Sequence, residues 1–425
     1  MVTLEPGQTQ VVSVTFDTNT SQGLGENQGF VVMDGAVFDA HMPVWARVTP
    51  ATQISDVLII DNDASDLDPS FGDYLYIYTS TLTALGKTYS IANPADYFGL
   101  DQTIPRPAVL SGFGAILWYT GDNYVPVAGL TTQDQYSLLD YLNNGGIVIA
   151  MGQDLAGTLD AAPGTDFNWL YNWGLGARWL QDSISNGNAP TGFATSAPSM
   201  PPFFRNIIVS LLQLYVDEVA PELADRAVAR GGVAVLNYGG PFNLGTGTAA
   251  LVHRDQPVLE SPVPPFWGRA FYASFGLEGM DLGPNEVLTP TLPTTPVELL
   301  GHVLTWAESE VGMASISNTT PATTTAITLF TAHYTSTAPT GYPAEVVNPI
   351  AWRWDFGDGS AYVASVTQEA GHTYVCSENN VYTVRVQVTD GMGNNAIGSL
   401  EVDVSDSCFQ EPETVQNFFL PWITK

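Results

Sequence analysis

Carboxylates dominate the residues that could do chemistry. Asp61, Asp63, Asp66 and Asp68 crowd one polar segment, Asp61-Asn-Asp-Ala-Ser-Asp-Leu-Asp68. Carboxylates at alternate positions of a loop either converge on calcium or cap the turns of a solvated loop and the helix behind it. A full EF-hand is excluded, because the required Gly and bidentate Glu do not follow. Asp61, Asp122, Gln153 and Asp154 each follow an apolar run that reads as a buried strand. In open α/β sheets such positions line the ligand pocket, so these four are the candidate pocket residues. A pair such as Asp61 and Asp122, if held close, would suit general acid–base work on a glycan or a peptide. Asp355 and Asp358 form a second acidic pair, which either caps its glycine turn or helps to hold calcium. Calcium is the one cofactor these residues suggest.

Other chemistry has few candidates. Histidines stand at 41, 253, 302, 333 and 372. None lies in a His-Glu-x-x-His zinc motif, and no Gly-x-Ser-x-Gly elbow or P-loop is present. Gly245-Thr-Gly247 is isolated and opens no clear helix. His253, beside Arg254 and Asp255, is the one histidine with a catalytic look; packing is its commoner use. Trp169, Tyr171, Trp173 and Trp179 cluster in a loop-like stretch, where rings either form a binding platform or fill a core. Cys376 and Cys408 are the only cysteines, too few for a four-ligand zinc site; they either form one disulfide in an oxidising compartment or stay as two thiols.

The balance of 43 acidic against 12 basic residues leaves a net charge of −31 over 425 residues. That field repels phosphate backbones and anionic membranes, which argues against nucleic acid as a partner. No apolar run reaches membrane-spanning length. The N-terminus, Met1-Val-Thr-Leu-Glu-Pro6, lacks the basic and apolar regions of a signal peptide. The expectation is the C-terminal piece of something longer.

The elements follow from periodicity. Thr9–Phe16, Gly29–Met33 and Met42–Val48 read as strands, too few for a sandwich of their own. Val57–Ile60, Thr88–Ala92, Phe113–Tyr119 and Ile147–Ala150 read as strands of a parallel sheet. Between them, Asp73–Gly86 carries apolar residues at helical spacing with Gly86 as its stop. Thr132–Asn143 is amphipathic, with Thr132 as N-cap and Tyr136, Leu139 and Leu142 inward. Strands alternating with helices mean βαβ units and a doubly wound sheet. Ile207–Val219 reads as a helix, Val233–Leu236 and Ala270–Phe275 as strands, and Val297–Glu308 as a closing helix. Ala326–His333, Val347–Phe356, Tyr382–Thr389 and Ala396–Val404 alternate cleanly and fit one β-sandwich.

Three resemblances join these readings. Trp354-Asp-Phe-Gly-Asp-Gly-Ser360, His372-Thr-Tyr374 and Tyr382-Thr-Val-Arg-Val-Gln-Val-Thr-Asp390 resemble the polycystic-kidney-disease (PKD) domain, an immunoglobulin-like module of secreted proteins. The resemblance implies a binding or spacer role, with Trp354 and Tyr374 in the core. Val57-Leu-Ile-Ile-Asp61, Leu117–Asp122, Gly145–Asp154 and Ser274-Phe-Gly-Leu-Glu-Gly279 resemble the class I glutamine-amidotransferase-like fold. Active members of that family carry a Cys on the turn after the Gly-Gly strand; here the turn is Met151-Gly-Gln-Asp154, without a thiol. Leu4–Phe16 and Gly29–Arg47 are similar to the fibronectin type III (Fn3)-like end of subtilisin-like serine peptidases, and Phe419–Lys425 resembles a terminal motif of exported bacterial proteins. The expected organisation is an Fn3-like β segment (1–52), an α/β doubly wound amidotransferase-like domain (55–309), a PKD β-sandwich (314–406) and a tail (407–425). The expected function is a non-catalytic accessory region of an exported peptidase, secreted or at the cell surface, whose N-terminal peptidase domain is the implied partner. An extracellular protein or polysaccharide is the further expected partner. The alternatives are a hydrolase using the α/β carboxylates, or a carbohydrate- or protein-binding module.

Overall fold

A computed structural model describes residues 25–33, 40–48, 53–97, 99–123, 130–159, 168–181, 192–196, 200–211, 216–221, 232–239, 248–254, 258–260, 268–280, 294–318, 322–324, 326–377 and 380–408. The readings at Thr9–Phe16, Gly245–Gly247 and Phe419–Lys425, and the tail beyond residue 408, lie outside them. Strands β1 (Gly25–Met33) and β2 (Ala40–Val48) pair as an antiparallel hairpin.

The α/β region is one large sheet with two characters. Strands β3 (Ser55–Asp61), β4 (Tyr89–Ala92), β5 (Phe113–Tyr119) and β6 (Ile147–Met151) are parallel, in the order β4-β3-β5-β6. The centres of β3, β5 and β6 are continuous apolar runs because both faces are covered, whereas β4, at the sheet edge, is partly exposed. Further strands are β7 (Ala177–Gln181), β8 (Gly192–Ser196), β9 (Ile208–Leu211), β10 (Glu218–Pro221), β11 (Val233–Gly239), β12 (Thr248–Arg254) and β13 (Arg269–Ala273). Of these, β13 pairs in parallel with β6, and β12, β11, β8 and β9 continue the sheet antiparallel. The doubly wound character therefore holds for one half of the sheet only. The helix expected at Ile207–Val219 is replaced by β9 and β10, because its apolar residues satisfy short buried strands as readily as a helix.

Helices cover both faces. On one face lie α1 (Leu75–Ala84), whose stop Gly86 takes φ +69°, and α5 (Pro296–Glu308). They share a core with Val57, Ile59, Leu117, Phe271 and Trp306. On the other face lie α2 (Pro107–Leu110), α3 (Thr132–Asn143) and the short α4 (Leu155–Leu159), over Leu58, Ile60, Trp118 and Val148. The N-cap of α3 is Thr131, not Thr132: its hydroxyl accepts from Asp134 N while Asp134 Oδ2 accepts from Thr131 N. Tyr136 faces outward, Leu138, Tyr141 and Leu142 are buried, and Leu139 is partly buried against the same core.

The C-terminal module is a sandwich. Strands β14 (Met313–Asn318), β15 (Thr328–Thr335) and β18 (Glu369–His372) form one sheet. Strands β16 (Pro349–Asp355), β17 (Val363–Ser365), β19 (Val381–Asp390) and β20 (Asn395–Asp403) form the other. Trp354, Phe356, Phe330 and Tyr374 fill the space between them. Cys376 and Cys408 are disulfide-bonded with Cα atoms 5.6 Å apart.

This module is locked onto the α/β domain. The tight turn between β19 and β20, Asp390 to Asn394, enters the core between the sheet and α5, and Met392 is fully buried there. Trp306 Nε1 donates to Met392 O (3.2 Å), and Phe203 N donates to Gly391 O (3.0 Å). Arg254 donates to Asn394 Oδ1, and Asn394 Nδ2 reaches Glu310 O (3.4 Å). Arg269 donates to the carbonyls of Trp306, Ala307 and Ser309, placing a cation on the C-terminus of α5.

Opening the Cys376–Cys408 link, which spans 32 residues, should cost about 3–4 kcal/mol by loop entropy. Denaturant titration of a Cys376→Ser/Cys408→Ser double variant against the oxidised protein checks this. An unchanged midpoint would show that the neighbouring strand ladder alone fixes these ends.

Candidate functional site

Strand order places the candidate pocket. The chain leaves β3 for β4 on one side and then returns to β5 on the other side of β3. The carboxyl ends of β3 and β5 therefore flank the switch point of the parallel sheet, where a crevice opens in such folds. In-register pairing of Asp61 with Tyr119 sets a carboxyl and a phenol side by side at that point.

A network of carboxylates and phenols results. Tyr119 OH donates to Asp61 Oδ1 at 2.5 Å and lies 3.5 Å from Asp63 Oδ2. Asp63 accepts from Tyr74 N and Ser65 N, both at 3.0 Å. The Tyr74 OH donates to Asp122 Oδ2 at 3.2 Å, and Gly72 N donates to the other oxygen of Asp122. Tyr78 stacks on Tyr119 with ring centres 3.9 Å apart and donates to Glu278 Oε2 at 2.5 Å. Asp61 and Asp122 thus belong to one network, joined through Tyr119, Asp63 and Tyr74 rather than facing each other directly.

Burial sets the protonation states. The Asp61 carboxyl is pushed up to about 7, chiefly by desolvation and opposed by the Tyr119 hydrogen bond, with Asp63, Asp66 and Asp73 adding repulsion. Tyr74 rises to about 12 by burial and the Asp122 charge. Burial raises Tyr78 and Tyr119 further, so all three phenols remain donors at neutral pH.

The remaining candidates go elsewhere. Asp66 accepts from Asn93 Nδ2, and Asp68 caps Ser70 N at 2.9 Å. The four carboxylates of the loop thus have separate hydrogen-bonding duties. Among the described residues, no three His, Cys, Asp or Glu side chains are grouped to hold a metal ion. Gln153 O accepts from Asp217 N (2.9 Å), which turns the Gln153–Asp154 segment toward β10. Gly152, on the same turn, has no room for a side chain: a Cβ there would lie 1.8 Å from Thr120 Oγ1.

Asp355 caps Gly357 N and accepts from Arg385, while Asp358 caps Ser360 N and pairs with His372 Nε2 at 2.7 Å. Burial would raise Asp358, but bonds from Ser360 and His372 hold it below the usual carboxylate range. Both acids work as turn caps. His253 is buried with Nδ1 3.1 Å from Gly174 O, a packed position. Of the aromatic cluster, Tyr171 and Trp179 are buried and Trp173 is partly covered, leaving Trp169 as its one exposed ring. No row of open rings forms. Sequence reasoning missed Glu278, Tyr119, Tyr74 and Tyr78. Glu278 stood inside the quoted Ser274–Gly279 motif, and the tyrosines read as apolar spacing.

Residues 318–404 match the family model of the PKD domain. The C-terminal sandwich is a PKD domain. Similar solved structures include the PKD1 domain of Epp from Vibrio anguillarum, at 20% identity, covering 23% of this chain and 96% of that one with a TM-score of 0.18. The PKD1 domain of the metalloprotease PrtV from Vibrio cholerae shares 19% identity, covering 22% of this chain and 98% of that one with a TM-score of 0.16. A structure described as the basis for the promiscuous specificity of carbohydrate-binding modules from the β-sandwich superfamily shares 23% identity, covering 23% of this chain and 35% of that one with a TM-score of 0.18. No curated protein matches the sequence. In the PKD domain, the Trp354–Ser360 motif and His372 are accounted for by packing: Phe356 stacks on His372 with ring centres 4.1 Å apart, above the capped turn.

The Asp61 carboxyl makes stability depend on pH. Its folded pKa of about 7 lies above the unfolded value near 3.9, so the folded state holds the extra proton and loses about 4 kcal/mol as pH rises from 4 through 7. Urea denaturation at pH 5 and pH 7.5 should show about 2.5 kcal/mol of that fall, flattened in Asp61→Asn. Equal slopes in the two proteins would mean that Asp61 ionises normally.

Proposed function

We propose that this chain is a non-catalytic accessory region of an exported peptidase of the subtilisin type, which stabilises and targets a catalytic domain N-terminal to it. The observation that carries this reading is the seam: the PKD domain is fixed to the α/β domain by a buried turn, so the two form one rigid body suited to scaffolding. The PKD family supports a binding or accessory role and an extracellular setting. No helix among the described residues is long and apolar enough to cross a membrane. The amidotransferase-like ancestry of the α/β domain is part of the same reading. The turn after β6 carries Gly152 hard against Thr120, a position where a nucleophilic side chain would not fit.

One observation favours a second reading. Asp61 is a carboxyl held near neutrality at the switch point of a parallel sheet, which is the profile of a general acid. A hydrolase acting on glycan or peptide would use it with Asp122 or Glu278. Calcium, in either reading, would act on stability rather than chemistry.

A hydrolysis screen of the purified chain against unfolded protein and glycans, with and without calcium, separates the two. The accessory reading expects no turnover on any substrate. Turnover that disappears in Asp61→Asn or Asp122→Asn would overturn it and make the α/β domain an enzyme.

A further inference from the structure

An open groove of about 650 Å³ runs along the outer face of α5, where the α/β domain meets the PKD domain. Val297, Glu298 and Thr305 of α5 form one wall, and the turn at Arg205 and Asn206 forms another. Tyr342, from the PKD side, closes one end. Its position is fixed: His302 Nε2 lies 2.5 Å from Phe203 O and so carries the ring proton, which leaves Nδ1 to accept from Tyr342 OH at 3.3 Å. Phe203 stacks on the His302 ring beneath.

Arg205 is exposed at the groove. Like the exposed Arg106, its guanidinium is engaged by no hydrogen bond or ion pair among the described residues. Asn206 beside it holds a left-handed backbone, φ +65°. A non-glycine residue in that region carries a small cost and so points to a constrained turn, here one that presents Arg205 at the groove.

The lining selects a ligand class. Arg205 and Asn206 are exposed and offer planar hydrogen-bonding groups. Glu298 accepts from Thr295 with one oxygen and Thr305 donates to Gly301 O, which leaves each a lone pair to accept. Tyr342, packed against Phe203, offers the uncovered part of its ring. A net charge of −31 repels polyanions at a distance. A neutral, hydroxyl-rich chain escapes that repulsion and can use donors, acceptors and the ring together. We propose that the groove at the α5–PKD seam binds a neutral oligosaccharide, with Arg205 donating to its hydroxyls and Tyr342 packing on a sugar face. This deepens the accessory reading by giving its targeting role a site, and it rests on that reading.

The test is calorimetric titration of the full chain with cellohexaose, laminarihexaose, maltohexaose and chitohexaose, with trigalacturonate and an acidic peptide as charged comparisons. At least one neutral hexasaccharide should bind. Arg205→Ala should weaken it about tenfold, the value of one hydrogen bond to a charged group, at an unchanged melting temperature. Val297→Tyr, which fills the groove, should abolish binding. Absence of binding by all four neutral sugars, preference for trigalacturonate or the peptide, or binding indifferent to both substitutions would overturn the proposal. Failure of the accessory reading would show separately, as substrate turnover, so the two outcomes are distinguishable.

Discussion

The buried turn from Asp390 to Asn394 is the constraint on which the arrangement of the two domains depends. A five-residue connection between antiparallel strands is ordinarily a solvent-facing tip. Here its Met392 side chain lies in the core beneath α5, and its main chain is bonded to Trp306 and Phe203. Asp390 makes the turn rigid enough to serve, accepting from Met392 N and Asn394 N on one oxygen and from Tyr334 OH on the other. Its carboxyl is raised by burial, an effect that those hydrogen bonds oppose. Buried polar groups of this kind are tolerated because each has a partner, and Arg254 and Arg269 complete the set from the sheet side.

The same logic governs the switch-point network. Asp61, Asp63, Asp122 and Glu278 would repel one another if bare, yet each accepts from a phenol or a backbone N–H. Fixing four acids in place needs donors that stay protonated, and burial keeps Tyr74, Tyr78 and Tyr119 in that state. The network therefore ties β3, β5, α1 and the turn after β13 together at the open end of the sheet. Its position is that of a ligand crevice, while its bonding is that of a structural clasp.

How much of this was legible in the sequence depended on the range of the interaction. Alternation in Tyr382–Thr389 and the apolar run Val57–Ile60 announced their strands, because burial on one or both faces fixes side-chain pattern locally. Gly86 announced the end of α1. By contrast, Ile207–Val219 carried apolar residues compatible with two periods, and only tertiary pairing made strands of it. Asp61 and Asp122 were visible as strand-end carboxylates, but Glu278 lies far along the chain and joins them through Tyr78. The short gap between the strands Tyr382–Thr389 and Ala396–Val404 implied a turn; nothing local revealed that the turn is an anchor, since its partners Trp306 and Phe203 stand in another domain.

The central claim is that the α/β and PKD domains form one cooperative, rigid unit. Differential scanning calorimetry of the full chain, compared with Met392→Ala, tests it most directly. The account predicts a single transition in the parent protein, lowered as a whole by the substitution, since truncating a fully buried Met costs about 2–5 kcal/mol. Two separate transitions, with only one or neither moved by Met392→Ala, would contradict it.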